Sequence, residues 1–327
     1  MFDDDTTSGL PQAETSPSGA APEPAGAVSE EMWLLGQPSL EDYLDYVRRA
    51  VVGGAEMSRR PLVDAWRAAN DVYADLEEDE AGLADEIACH PLPAAMAPLV
   101  EALSATDSFQ RTFDRVPTTF GMVELDKLIV SQKRVTKPFA ERLAASLTPP
   151  PDAAGLFRFC QPIERTDPPV RVRRLSEDRF LFTSASNDLR FHEAALLHPG
   201  QLSGHAAFGP IQNILGLVVG YGSNFLSAIR SEDRMVLHNG YHRAVALRMA
   251  GITHAPCIIQ EVTRRDELEL TAASTVSSDP AFYFRAARPP LLKDFFDPRL
   301  CTVVPTRRGE RHIELAFTVK DYTVYDA

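Results

Sequence analysis

The spacing of apolar positions changes character near residue 117. Before it the period is helical. Ser39 can cap a helix over LEDYLDYVRRAVV, with Leu40, Tyr43, Leu44, Val47 and Val51 on one face. Its acids Glu41 and Asp42 come first and its bases Arg48 and Arg49 late, as the helix dipole prefers, and Gly53-Gly54 stops it. A second helix is expected over RRPLVDAWRAANDVYADLEEDEAGLADEIA, facing inward through Leu62, Val63, Trp66, Ala69, Val72, Tyr73 and Leu76. PAAMAPLVEALSATDSFQRTF makes a third.

After 117 the chain alternates. TTFGMVELDKLIVSQKRV reads as a strand and a basic loop. Thr136 then opens a helix over KPFAERLAASL, which Pro149-Pro150-Pro151 ends. VRVRRL and RFLFTSAS predict short strands. GLVVGYGSNFLSAIR predicts strand, glycine turn and helix. MVL is a strand reaching a turn at Asn239-Gly240, with a helix from Tyr241 to a stop at Gly251, and PCIIQEV a second strand. RHIELAFTVK closes the chain as a strand with Ile313, Leu315, Phe317 and Val319 on one face. The expected organisation is a disordered acidic tail (1–32), a helical module (33–116), an α+β core (117–270) with an insertion at about 149–215, and a C-terminal extension (271–327).

Charge narrows the partners. The net charge is -13, and residues 1–31 carry seven acids and no base. That is a poor footprint for binding nucleic acid, which rests on neutralising phosphates. No apolar run reaches the roughly 18 residues that span a bilayer. MFDDDTTSGL has acids where a signal peptide needs bases, so a cytoplasmic protein is expected. Cys89, Cys160, Cys257 and Cys301 lie far apart, which disfavours a zinc ribbon and predicts reduced thiols. DLEEDE reads as a solvated face. His238 and His242 straddle a turn, lack the glutamate of H-E-x-x-H, and predict no metal site.

The candidate chemistry sits at 239–243. A helix N-terminus offers unpaired N–H groups and the positive end of a dipole. His242 and Arg243 stand there, where a basic side chain is unfavourable unless an anion compensates. Phosphate is the anion that arginine grips in bidentate fashion. A salt bridge for Arg243 and a hydrogen-bonded turn for His242 are the structural alternatives. Gly222, Ser223 and Asn224 form either an ordinary tight turn or a ligand-contacting loop; Asp188 and Arg190 either cap locally or contact substrate.

NGYHRAVALRMAGITHAPCII resembles the Gly-x-His/Arg-Arg-x-x-Ala motif of the ParB N-terminal/sulfiredoxin-like superfamily, and VELDKLIVSQKRV (123–135) resembles its first box, about 100 residues earlier. The resemblance covers some 40–45% of the chain. It implies an α+β fold with a ParB/sulfiredoxin-like mixed core. It implies nucleotide phosphate held by Asn239, Gly240, Tyr241, His242 and Arg243, with Gln132 and Arg134 of the first box facing the nucleotide, although composition alone reads these two as a solvated loop. Ser223 and Asn224 are added from the glycine turn. It also implies ATP, ADP or CTP with Mg²⁺ as ligand. If catalysis occurs it would be phosphoryl transfer or nucleotide hydrolysis, with Glu124 as base and a role for His242. Tyr241 stands where sulfiredoxins have their reactive cysteine, so sulfinic-acid reduction is not expected. No helix-turn-helix follows 262, which disfavours chromosome partitioning and DNA binding. The alternative is a non-catalytic nucleotide sensor or assembly protein that recruits a protein partner through its helical module.

Overall fold

The computed structural model describes residues 28–325 except 38, 165–166, 187 and 202–208. The first 27 residues of the expected tail, and Asn187 of the Asp188 segment, therefore lie outside the described residues. In chain order the elements are β1 (Val28–Leu34), α1 (Leu40–Ala50), α2 (Arg59–Asp79), β2 (Cys89–His90), α3 (Ala97–Ser104), α4 (Asp107–Thr112), β3 (Thr118–Glu124), β4 (Ile129–Val130), β5 (Arg134–Thr136), α5 (Lys137–Ala145), α6 (Ala153–Cys160), β6 (Arg171–Ser176), β7 (Arg179–Ser184), β8 (Leu189–Leu197), β9 (Ile214–Tyr221), β10 (Ser227–Ser231), β11 (Arg234–Asn239), α7 (Tyr241–Met249), β12 (His254–Glu261), α8 (Arg265–Thr271), α9 (Ser274–Ser278), α10 (Pro280–Phe284), β13 (Cys301–Arg307) and β14 (Arg311–Ala316). The protein is α+β. Among the described residues no helix is long and apolar enough to cross a membrane.

The centre is a mixed six-stranded sheet in the order β2-β3-β12-β10-β11-β4. Both of its faces are covered. On β12, Ala255, Cys257 and Ile259 enter one cluster with Leu247 and Val245 of α7, while Ile258 enters another with Met96 and Leu103. On β11, Met235 and Leu237 face the α7 side while Val236 faces Tyr283 and Leu268. Burial on two faces explains why these strands are apolar runs rather than alternating ones. A second sheet, β13-β1-β5, carries α1 and α2 through Trp33, Tyr43, Val47 and Tyr73.

Several elements differ from the sequence reading. Val28–Leu34 is a strand, not the end of a tail: β1 pairs antiparallel with β13 and β5, and burial deepens along it to Leu34. Arg134–Thr136 is strand rather than loop, because β1 supplies its partner. The third helix is broken into α3 and α4, since the Thr106 hydroxyl accepts from Phe109 N–H at 3.2 Å and restarts the helix. Ser227–Ser231 is a strand where a helix was expected. The apolar spacing of Leu226 and Ile229 suits both, and pairing with β11 and β12 decides for strand. The last strand stops at Ala316. It pairs with β7, so the insertion and the C-terminal extension share the sheet β14-β7-β6.

Candidate functional site

The strand–turn–helix expected at 235–250 is present. Gly240 is the N-cap residue of α7 with φ +90°, in the left-handed region, and no side chain caps the helix. A Cβ at Gly240 would lie 2.8 Å from Leu226 Cδ1 and 3.0 Å from its Cα, so glycine serves both dihedral and approach. Asn239 Oδ1 accepts from Gly240 N–H at 2.8 Å and its amide donates to the Ser223 carbonyl. The turn and the Gly222–Asn224 loop are thus tied together. Register explains why: β10 and β11 are antiparallel, with Ser227 opposite Asn239, so the loop entering β10 meets the turn leaving β11.

Arg243 reaches back to that loop. Its Nη1 donates to the Asn224 carbonyl at 2.5 Å and to Asn224 Oδ1 at 2.7 Å. Asn224 is neutral, and its two oxygens orient the guanidinium. On the loop's other side, Arg190 packs so closely that a Cβ on Gly222 would collide with its guanidinium. Arg190 also pairs with Asp188, and Gly222 N–H donates to the Asp188 carbonyl at 3.4 Å. Ser223, Asn224, Asn239, Gly240, Arg243, Asp188 and Arg190 are therefore brought to one place. The loop is not followed by a helix, so its placement comes from β9 and β10. A cavity of about 200 Å³ adjoins it, lined by Gly222, Ser223 and Asn224 with Asp167, Tyr221, Ser108 and Phe225 among others.

Other candidates are used within the fold. His242 is half-buried; its Nε2 accepts from Thr136 N–H at 3.1 Å and its ring meets Phe139 edge-on at 5.1 Å. Burial, and then the Arg243 charge, push its pKa down to about 4, so it is neutral at pH 7. The buried Tyr241 hydroxyl donates to the Leu237 carbonyl at 2.7 Å and accepts from Ser131 N–H at 3.1 Å and Gln132 N–H at 3.3 Å. It fastens the 131–132 segment to α7 rather than facing a ligand. Gln132 donates to the Arg134 carbonyl at 2.6 Å, and the Arg134 guanidinium lies over Tyr46 of α1 at 4.9 Å, which turns it to the helical module.

Glu124 is not at the turn. Its Oε2 accepts from Ala88 N–H at 3.2 Å and lies 3.4 Å from Lys127 Nζ. It pairs across the sheet with His254, and Leu125 N–H donates to the Thr253 carbonyl, beyond the C-terminal end of α7. Asp126 pairs with Arg248 in the last turn of that helix. Nine helical residues separate these carboxylates from the 239–243 turn by roughly 12 Å at 1.5 Å per residue.

Sequence reasoning weighed His238 only as a metal ligand and missed Asp167. His238 lies on β11 next to the turn; burial, then the charge of Arg190, lowers its pKa. Nothing local to Asp167 signals its arrival at the loop, because the intervening β6–β9 segment places it there. Among the described residues no group of three or more His, Cys, Asp or Glu is arranged to hold a metal. The four cysteines are free, and burial raises the pKa of each thiol. Comparisons of the chain with protein-family models, curated proteins and solved structures gave no match.

Proposed function

We propose that the protein binds the phosphate of a nucleotide or of another phosphorylated ligand at the 239–243 turn and the Gly222–Asn224 loop. The observation that carries this reading is the start of α7. It has a left-handed glycine and no side-chain cap, with Arg243 oriented beside it by Asn224. Helix N–H groups and a guanidinium together are the donors a phosphate needs. Arg190, on β8 and packed against Gly222, brings a second cation to the loop, paired there with Asp188.

Kinship with the ParB/sulfiredoxin-like superfamily is part of this proposal. It is supported by contact between the two resembling segments: Ser131 and Gln132 of the first box donate to Tyr241 of the second, across 110 and 109 residues.

The cavity bears on ligand size. At about 200 Å³ it is below the roughly 300–1,000 Å³ of pockets that enclose drug-sized ligands. Its lining takes in Gly222, Ser223 and Asn224 of the loop but none of residues 239–243. Asp167 and Asp188 are the carboxylates beside the loop. With no three-ligand cluster among the described residues, a Mg²⁺ would be held chiefly by the phosphates it accompanies.

Glu124, the expected base, stands at the far end of α7. That placement favours binding without turnover, the sensing or assembly reading, over phosphoryl transfer through that residue. Calorimetric titration of the full chain with ATP, ADP, CTP, GTP and inorganic phosphate, each with Mg²⁺, tests the proposal. Binding to wild type that Arg243→Ala abolishes supports it. No binding to any of the five refutes it. Product formation that survives Glu124→Gln would move the search for a base to Asp167 and Asp188.

A further inference from the structure

Residues 28–327 are acidic as a whole, yet one surface of them is basic. Segment 1–27 holds five acids and no base, which leaves 41 acids against 33 bases, or -8, on the rest. Against that excess, six arginines gather on the β14-β7-β6 sheet and on the hairpin between β13 and β14. Thr183 of β7 pairs with Arg171 and His312, and Leu181 with Arg173 and Glu314. Arg171 and Arg173 therefore share a face with Arg179, two residues before Leu181 on β7. The hairpin adds Arg307, Arg308 and Arg311, and all six are exposed. The acids among them are Glu310, paired with Arg171, and Glu314, paired with Arg179. Arg173 and Arg307 form no ion pair among the described residues. Glu177 and Asp178 lie in the β6–β7 turn, at the end of the sheet away from the hairpin.

The acidic segment joins the fold at this surface. Val28 pairs with Arg307 and Ser29 with Thr306, so the chain before Val28 meets the fold beside the hairpin arginines. Its acids are Asp3, Asp4, Asp5, Glu14 and Glu23. Glu23 is five residues from Val28, at most roughly 17 Å of chain, which suffices for the hairpin. Glu14 is fourteen residues away, at most roughly 46 Å, and the aspartates are further. A three-stranded sheet is only about 10 Å across between its outer strands, so β6 is within reach of them all.

We propose that this basic face and its hairpin are the docking surface of the chain's own segment 1–27, held in cis. Glu23 meets Arg307 and Arg308, and the acids further out meet Arg171, Arg173 and Arg179. Two observations select this occupant. Its charge is complementary, five acids without a base facing six arginines that only two acids offset. It is also attached where the surface begins, at the pairing of Val28 with Arg307. Exposed ion pairs are individually weak, so the contact depends on their number and on the tether. A tether holds its segment at about millimolar effective concentration. A contact that dissociates at about 0.1 mM between separate molecules is then formed about nine-tenths of the time in cis. A foreign acidic chain would need about millimolar concentration to displace it.

The probe is a fluorescein-labelled peptide of residues 1–27, titrated by anisotropy into two full-length proteins at low salt. One is wild type; the other is neutralised in the segment (D3N/D4N/D5N/E14Q/E23Q). The neutralised protein is expected to bind the peptide at about 0.1 mM, and wild type about 10-fold more weakly because its own segment competes. Adding Arg173→Gln/Arg307→Gln to the neutralised protein should weaken binding at least about 5-fold, as should raising salt from about 20 to about 500 mM. Trypsin gives a second readout that keeps every arginine, and segment 1–27 offers it no site. At low salt, cleavage after Arg307 and Arg308 should be at least about 5-fold slower in wild type than in the neutralised protein, and the two rates should converge at about 500 mM salt. Absence of peptide binding by the neutralised protein, or equal trypsin rates at low salt, overturns the proposal. So does equal peptide binding by the two proteins, which would leave the surface open to a foreign acidic chain. A wild-type dimer that light scattering shows to be lost on neutralisation also overturns it, by placing the segment on a second copy.

Discussion

His242 is the residue whose role most sharply separates a phosphate ligand from a structural turn, and its titration can be read as stability. In the folded chain its pKa is about 4, against an ordinary 6.5, because the ring is buried beside Arg243 and Nε2 accepts the Thr136 N–H. The neutral ring is the form the fold selects. The stability it contributes is therefore complete above pH 6.5 and is lost as pH falls from 6.5 to about 4, since the unfolded chain binds the proton first. A shift of about 2.5 units at 1.36 kcal/mol per unit sets an upper bound of about 3 kcal/mol. Urea unfolding of wild type and His242→Gln at pH 7, 6, 5 and 4 measures it. The glutamine oxygen can still accept from Thr136 but does not titrate. Wild type should lose up to about 3 kcal/mol more than the variant over that range. Stability curves that stay parallel within about 0.5 kcal/mol would refute a neutral, buried acceptor at this position. Phosphate adds a second arm: an anion touching the ring would stabilise imidazolium and shrink the acid loss. An acid loss unaffected by millimolar phosphate would leave anion binding to Arg243 and the helix N–H groups.

Gly240→Ala should cost about 1–3 kcal/mol in urea unfolding, since alanine at φ +90° is strained and its Cβ would press on Leu226. Tyr241→Phe should cost about 1–3 kcal/mol and raise amide exchange at Ser131 and Gln132, whose N–H groups would lose their acceptor. Arg288 is fully buried and grips Asp294 through two 2.7 Å bonds, with Glu80 at 3.0 Å. Arg288→Met should cost about 3–5 kcal/mol in thermal or urea unfolding by leaving Asp294 charged and unpaired, and the added Asp294→Leu change should recover most of it.

The parts of the fold legible in the sequence were those whose causes are local. Ser39 does cap α1, its hydroxyl accepting from Asp42 N–H at 3.2 Å, and Gly240 and Gly251 bracket α7 with positive φ. The parts that were not legible depend on partners far along the chain. Glu30 and Glu31 gave β1 the composition of a tail, yet its partners Pro305 and Val304 lie more than 270 residues away. HEAALL has helical composition and nevertheless runs in β8, because Ile214–Tyr221 pairs along it. Local propensity is a weak prior where such pairing is available.

The same division applies to the site. A basic pair at a helix N-terminus was visible as a local conflict, and phosphate was the local way to relieve it. The fold relieves part of that conflict differently on each residue. His242 is kept neutral by burial, so it adds no positive charge to the dipole. Arg243 keeps its charge but turns to the Asn224 carbonyl and amide oxygen, two dipoles contributed from 19 residues upstream. What the sequence presents as one cationic pair is, in three dimensions, one neutral turn residue and one oriented guanidinium. The second cation comes instead from Arg190, on a strand whose segment the local pattern read as either a cap or a substrate loop. An anion site at this turn would rest on Arg243, Arg190 and the first-turn N–H groups of α7, and the His-Arg dipeptide that drew notice to it would contribute only its second residue.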